Sequence, residues 1–334
     1  MREPRWIEKT GSGWRCTLCP HGCRWSESSP LGLCRVRGLV ESRPALPGWG
    51  RCVSLALDPI EKKPLYHFLP GSTILSTGPA GCNLSCTFCQ NWTISQGDAP
   101  TRLVEPEELA HLALEGGSCG IAFTYTEPVI WFEYIAETAP LVRKGGGAVV
   151  MVSNGFVNPA PLEEYLGFTD AWNIDLKGWS PDFYRRLCGG DRDAVLATIR
   201  RVARSDAHLE ITFLIIPGEN DRPSEWEEMS SWIASEAGPE VPLHISRYFP
   251  RYRLQNPPTS PDTIHRAVEA FSAKLKFVYP GNLSCEGNTL CPRCGSCAVR
   301  RMGWSIDASG LSNGSCLKCG EPLGIISSLR GTRS

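Results

Sequence analysis

Residues 81–92 read GCNLSCTFCQNW. Three cysteines, Cys82, Cys86 and Cys89, fall in this stretch with gaps of three and two residues. Two thiols would make a redox pair, and four would close a tetrahedral ion site. Three soft ligands on one short loop can instead hold an iron–sulfur cluster by three of its irons, leaving the fourth without a protein ligand. A structural zinc would call for a further ligand, with His67 and His111 the nearest histidines in sequence. The loop follows directly on a β-rich apolar run, TILSTG at 73–78, and that context favours an open catalytic cluster over a closed zinc site.

Outward from the loop, short β-rich runs alternate with helical segments. Strands are expected at 73–78, 120–126, 148–154, 171–177, 208–217 and 242–249, with helix-like stretches between them, many of which open on Pro near a charged residue and close on Gly, Lys or Arg. Six βα repeats imply a parallel sheet, either doubly wound or a partial barrel. The expected strands end on polar residues: Glu127, Asn154, Asp175 with Lys177, and His244 with Arg247. Alternation puts Asn173, Asp175 and Lys177 on one face, and Glu210 with Thr212 likewise. His244 and Arg247 are three apart, so a regular strand cannot point both inward. Polar residues gathered at strand ends point to a site at the C-terminal end of the sheet.

The chain has 334 residues, a net charge of −1 and 42% hydrophobic residues, enough for a sizeable core and too neutral to argue for nucleic acid or an anionic membrane. MREPRWIEKT lacks the apolar run of a secretory signal, and AVVMV at 148–152 is far shorter than the about 20 residues of a membrane span. The expected setting is cytoplasmic, where sixteen clustered cysteines read as metal ligands rather than disulfides. CPRC and CLKC at the C-terminus supply Cys291, Cys294, Cys316 and Cys319, a zinc-ribbon pattern that a rubredoxin-like iron would share, with Cys297 as a competing ligand. At the N-terminus Cys16, Cys19, Cys23 and Cys34 suit zinc or a second [4Fe-4S] cluster. Arg35 and Arg37 form either a docking patch for an acidic electron donor or a solvated edge. Glu61, Lys62, Lys63 and His67 either line a chamber entry or make a solvated run with one core histidine. Cys52, Cys119, Cys188 and Cys285 read as buried free thiols.

The resemblance to a family is carried by DPIEKKPLYHFLPG (58–71), the cysteine loop, CQNWTISQ (89–96), TEP (126–128), VSNGF (152–156), NIDLKG (173–178), IIPGENDRP (215–223) and HISRYFP (244–250). These resemble the AmmeMemoRadiSam-system radical SAM enzymes, which are similar to pyruvate formate-lyase activating enzymes. The resemblance implies a partial (βα)6 TIM-like barrel over 71–284, with a cysteine-rich N-terminal cap over 1–70 and a zinc-ribbon-like segment over 285–334. It implies a [4Fe-4S] cluster on Cys82, Cys86 and Cys89 and S-adenosylmethionine on its free iron, while the CxxC pairs of the ribbon are expected to hold zinc. Phe88 would pack beside the adenine. Thr126 and Glu127 would meet the cofactor's amino group, although the family more often has Asn where Thr126 stands. Asn154, Asp175 and Lys177 would surround ribose and carboxylate, and His244 would lie near the reaction chamber, which gives Asp175, Lys177 and His244 the catalytic positions. The implied reaction is reductive cleavage to a 5′-deoxyadenosyl radical that abstracts hydrogen from a glycyl residue of a partner protein, a small molecule or a peptide. The implied partners are a reduced flavodoxin- or ferredoxin-type donor, with AMMECR-like and Memo-like proteins. An iron–sulfur electron carrier with a ribbon for partner binding is the rival, and the polar strand ends argue against it.

Overall fold

A computed structural model describes residues 2–11, 13–283 and 287–329. Its centre is a nine-stranded sheet. We number its main strands β1 (Arg51–Pro59), β2 (Thr73–Pro79), β3 (Ser118–Phe123), β4 (Ala148–Ser153), β5 (Ala171–Asp175), β6 (His208–Ile215), β7 (Leu243–Arg247) and β8 (Val278–Gly281). Strands β2 to β8 are all parallel and follow chain order without reversal. A doubly wound sheet reverses its order at a switch point, and this one does not. The antiparallel strand β1, expected within the N-terminal cap, instead lengthens the sheet beside β2, and Arg102–Leu103 closes that edge.

The strands read as apolar runs because both faces are covered, as parallel sheets require. AVVMVS in β4 is buried almost throughout. On β5 the alternation behaves as expected: the Trp172 indole turns to Tyr165 and Thr169, while Asn173 bonds to Thr212 and the Pro64 carbonyl. The covering helices are α1 (Pro106–Leu114), α2 (Phe132–Lys144), α3 (Pro159–Phe168), α4 (Arg192–Ala203), α5 (Pro223–Glu236) and α6 (Pro261–Ser272). Four of them begin with Pro, whose missing N–H costs nothing there. Asp191 caps α4 by accepting from Asp193 N–H, and Ser260 caps α6.

Two small β units flank the sheet. At the N-terminus Ile7–Thr10, Gly13–Cys16 and Arg24–Trp25 pair antiparallel. At the C-terminus Thr289–Leu290, Cys297–Met302 and Ser305–Asp307 do the same. The latter is clipped to the sheet by His67, whose ring meets the Leu323 carbonyl at 3.0 Å and the Tyr279 hydroxyl at 2.6 Å. Buried Arg301 donates to the Tyr66 carbonyl at 2.7 Å. Among the described residues no helix is long and apolar enough to cross a membrane.

Candidate active site

The cysteine loop leaves the C-terminal end of β2. At Gly81 (φ +133°) a Cβ would lie 2.2 Å from the Cys34 carbonyl oxygen, so glycine alone fits the passage. Leu84 N–H donates to Cys82 Sγ at 3.3 Å, and Asn154 Nδ2 lies 3.7 Å from the same sulfur. Ser85 and Thr87 N–H groups donate to the carbonyls of Cys188 and Leu187. Cys89 Sγ is 3.3 Å from Ser95 Oγ. The Cys188 thiol is hydrogen-bonded to Cys86 and draws its pKa down, whereas burial pushes Cys82 well up. Three free thiols with N–H donors on the first sulfur suit an anionic metal–sulfur centre. Cys188, expected as an inert core thiol, is the residue that a lone cysteine in sequence could not reveal as a neighbour of the loop.

The strand ends form a joint behind this loop. Glu127 is fully buried. Its carboxylate accepts from Val129 N–H (3.0 Å), Ser153 Oγ (2.7 Å) and Asn154 N–H (2.7 Å). Burial nevertheless pushes Glu127 up to about 7. Asn154 Nδ2 donates to Asn83 Oδ1 at 2.9 Å, and its Oδ1 accepts from Phe156 N–H. Thr126 Oγ1 donates to the Pro79 carbonyl at 2.7 Å. Lys177 Nζ meets Asp175 Oδ2 at 2.9 Å. Burial disfavours the Lys177 charge, but Asp175 and Cys86 hold its pKa well above the ordinary value.

A cavity of about 400 Å³ opens at these strand ends, lined by Thr126, Asp175, Asn91, Tyr125, Asp58 and Lys63, with Lys62 at its side. Asp58 receives Lys63 Nζ at 2.8 Å, Tyr125 hydroxyl at 2.8 Å and Lys62 Nζ at 3.1 Å. Burial raises Asp58, yet these three donors bring it down to about 2. Lys62 and Lys63 thus do line the cavity, while His67 is a core histidine and Glu61 binds Gly71 N–H. Asp58 and Tyr125 carried no sequence signal beyond their motifs. Phe88 is buried against Phe183, 5.8 Å between centroids. His244 Nε2 lies 2.6 Å from Glu210 Oε2, and Arg247 turns the other way to the Thr259 carbonyl, as their spacing demands. Glu127, Asn154, Phe88, Lys177 and His244 stand around the cavity residues rather than among them.

All fifteen described cysteines are free. Among the described residues, the Sγ atoms of Cys291, Cys294, Cys316 and Cys319 form the group drawn within 4.8 Å of one another. Cys297 stands outside it, on a strand, and Cys285 lies outside the described residues. Cys16, Cys19, Cys23 and Cys34 line a separate cavity with Trp25 and Arg37. Arg37 suits neither reading offered for it, the docking patch or the solvated edge. Arg37 is 1% exposed and paired with Glu133 at 2.5 Å, and Arg35 bonds to the Ser95 carbonyl.

A family model, Radical SAM superfamily, matches residues 78–233. The chain is 37% identical over 336 residues to "Uncharacterized protein MJ0808" of Methanocaldococcus jannaschii, a match spanning 98% of this chain and 100% of that one. It is 21% identical over 210 residues to the pyruvate formate-lyase-activating enzyme of Streptococcus mutans, covering 56% of this chain and 80% of that enzyme. A radical SAM methyltransferase from Sphaerobacter thermophilus superposes with a TM-score of 0.52 at 16% identity, over 63% of this chain and 66% of that one. At that identity the likeness concerns the fold.

Proposed function

The chain belongs to the radical SAM superfamily and is an enzyme, and from that premise we propose that the sheet is a partial barrel in which Cys82, Cys86 and Cys89 hold a [4Fe-4S] cluster with S-adenosylmethionine on its fourth iron. The group so bound supplies one-electron cleavage of the sulfonium and a 5′-deoxyadenosyl radical for hydrogen abstraction. The observation that carries the reading is the loop of three free thiols at the end of β2, opening beside a cavity of about 400 Å³ at the strand ends.

The chain's own residues hold and shield. Thr126 and Asp175 reach the cavity and are placed to position the cofactor's polar groups. Lys177, bound to Asp175, sets a positive charge beside Cys86 and offsets the thiolate charge there. Glu127 and Asn154 act through the joint they make, fixing Asn83 and Cys82. Phe88 and Phe183 supply an apolar wall suited to an adenine. His244 is engaged by Glu210, which gives it a positioning part in the interior. Asp58, Lys63 and Tyr125 form the polar side of the chamber, where the substrate would sit.

The likeness to a pyruvate formate-lyase-activating enzyme supports a glycyl residue of a partner protein as the hydrogen donor, with a small molecule or peptide as the alternative. A flavodoxin- or ferredoxin-type donor fits the one-electron requirement, and AMMECR-like or Memo-like proteins are candidate partners. The converged C-terminal thiols suit zinc.

The test is anaerobic reconstitution with iron and sulfide, addition of S-adenosylmethionine and reductant, and quantification of 5′-deoxyadenosine. Cys86→Ala is expected to abolish its formation. Full activity in that variant overturns the assignment.

A further inference from the structure

The N-terminal cysteines are unused by the chemistry above, and their surroundings are unusual. Cys16, Cys19, Cys23 and Cys34 line one cavity, walled by Leu18, Trp25, Ile130 and Arg37. Buried Arg37 spends Nη1 on Glu133, but its Nε and Nη2 have no hydrogen-bond partner, and neither has Trp25 Nε1. A buried donor left unpaired costs about 1–3 kcal/mol, more when charged. Three N–H groups on residues that line a cavity with four thiols await an anionic acceptor. Thiols packed as small hydrophobes would leave them unsatisfied.

A single ion does not fit this set well. Zinc–sulfur bonds of about 2.3 Å require four sulfurs within about 4 Å of one another. Among the described residues the C-terminal set is drawn together in that way, and the N-terminal set is not. Thiols on separate irons of a cluster are under no such constraint.

The set also abuts the catalytic loop. The Cys34 carbonyl packs on Gly81, and His21 Nε2 lies 2.6 Å from the Asn83 carbonyl oxygen. Gly81 and Asn83 flank Cys82, so the first loop cysteine is bracketed by contacts from the N-terminal set. Asn83 lines the same cavity as the four thiols.

We propose that Cys16, Cys19, Cys23 and Cys34 hold a second iron–sulfur cluster that relays single electrons to the three-cysteine loop. An external one-electron donor of the flavodoxin or ferredoxin class reduces this cluster. It then returns to its oxidised state as one electron passes to the loop cluster, and no atom moves. Arg37 and Trp25 donate N–H groups to its sulfurs. The relay rests on the function proposed above; the cluster site does not.

The experiment uses the full chain, reconstituted without oxygen, in wild type, in the loop variant Cys82→Ser/Cys86→Ser/Cys89→Ser, and in Cys16→Ser/Cys19→Ser. Iron, sulfide and zinc are measured, with electron paramagnetic resonance after reduction. The loop variant is expected to retain sulfide-matched iron, about four per chain for a cubane, and a reduced-cluster signal. That signal is expected to be missing from Cys16→Ser/Cys19→Ser, which keeps the loop signal. A loop variant without iron and sulfide, or with zinc in the N-terminal site, overturns the proposal. Trp25→Phe removes one N–H and keeps a ring, and is expected to lower the midpoint potential of the cluster retained in the loop variant; an unchanged potential overturns the donor assignment. With flavodoxin as reductant, Cys16→Ser/Cys19→Ser is expected to lose 5′-deoxyadenosine formation and keep it with dithionite; equal loss or equal retention overturns the relay. A wild type that loads both clusters but never cleaves S-adenosylmethionine defeats the function and leaves this site standing.

Discussion

The chain carries a set of four candidate metal-ligating cysteines near each end, and the two sets are assembled on different backbones. In the C-terminal set each knuckle repeats one geometry. Cys291 N–H donates to the Ser296 carbonyl and Gly295 N–H to the Cys291 carbonyl; Cys316 and Gly320 repeat both bonds, with Glu321 in the place of Ser296. Gly295 and Gly320 both adopt left-handed φ, +69° and +73°. Two like turns facing each other draw four sulfurs together, with Cys291 to Cys319 at 3.6 Å and Cys294 to Cys316 at 3.7 Å. The N-terminal set has one hairpin, closed by Cys16 N–H to the Cys23 carbonyl, and then a distant Cys34. Its sulfurs surround a cavity instead of a point. The number of thiols is equal; the repetition of the turn decides whether they converge.

The sharpest way to break this contrast is at a knuckle. Cys291→Ser is expected to remove the zinc proposed for the C-terminal set and leave iron content unchanged. Binding at such sites is folding free energy of about 10 kcal/mol or more, so 287–329 should become protease-sensitive. Metal analysis with limited proteolysis checks it, and a loss of iron would show the two sets to be coupled. The next effect is at the other end. Gly81→Ala places a methyl 2.2 Å from the Cys34 carbonyl at a φ that side chains avoid. Relief requires the N-terminal unit and the loop to part, at about 1–3 kcal/mol for the overpacking, with the backbone strain in addition. Thermal unfolding should fall sharply, together with iron retention. A silent substitution would mean that the two cysteine units are not in contact.

How much of this could be read from the chain depends on the range of the interaction. The strands from β2 to β7 and the six helices were legible because apolar runs and Pro-initiated helices are local signals. The loop cysteines were legible because their spacing is the motif. The strand β1 was not, since RCVSLALDP resembles other irregular stretches and gains its place only by pairing with β2. β8 was missed for the same reason. Arg37 looked like a surface charge; only Glu133, 96 positions away, makes its burial tolerable. The cavity residues Asp58 and Tyr125 meet across 67 positions, and Cys188 reaches Cys86 across 102. Side chains joined in this way leave no periodicity behind. Glu127 was picked out as a strand-end acid, but nothing local said that three backbone and hydroxyl donors would engage it.

The two ends also differ in how they are fastened, and pH can separate them. The N-terminal unit meets the loop through Gly81 and the His21 contact, whereas the C-terminal unit hangs on buried His67 between Leu323 and Tyr279. Burial lowers His67 from 6.5 to about 3, against the pull of Glu210. The folded state therefore holds it neutral, and the unfolded chain binds the extra proton. Its contribution to stability is complete above 6.5 and is lost as pH falls from 6.5 towards about 3. Most carboxylates titrate at the acid end of that window, but Glu127, raised to about 7, takes up its proton inside it in any variant, so the comparison from 6.5 down to about 5 is of the difference between two proteins. There the melting temperature of wild type should fall relative to that of His67→Gln, which is the lower of the two at neutral pH, so the gap between them narrows. A gap that stays constant would move the acid sensitivity elsewhere and leave the C-terminal unit held by Arg301 and its own core.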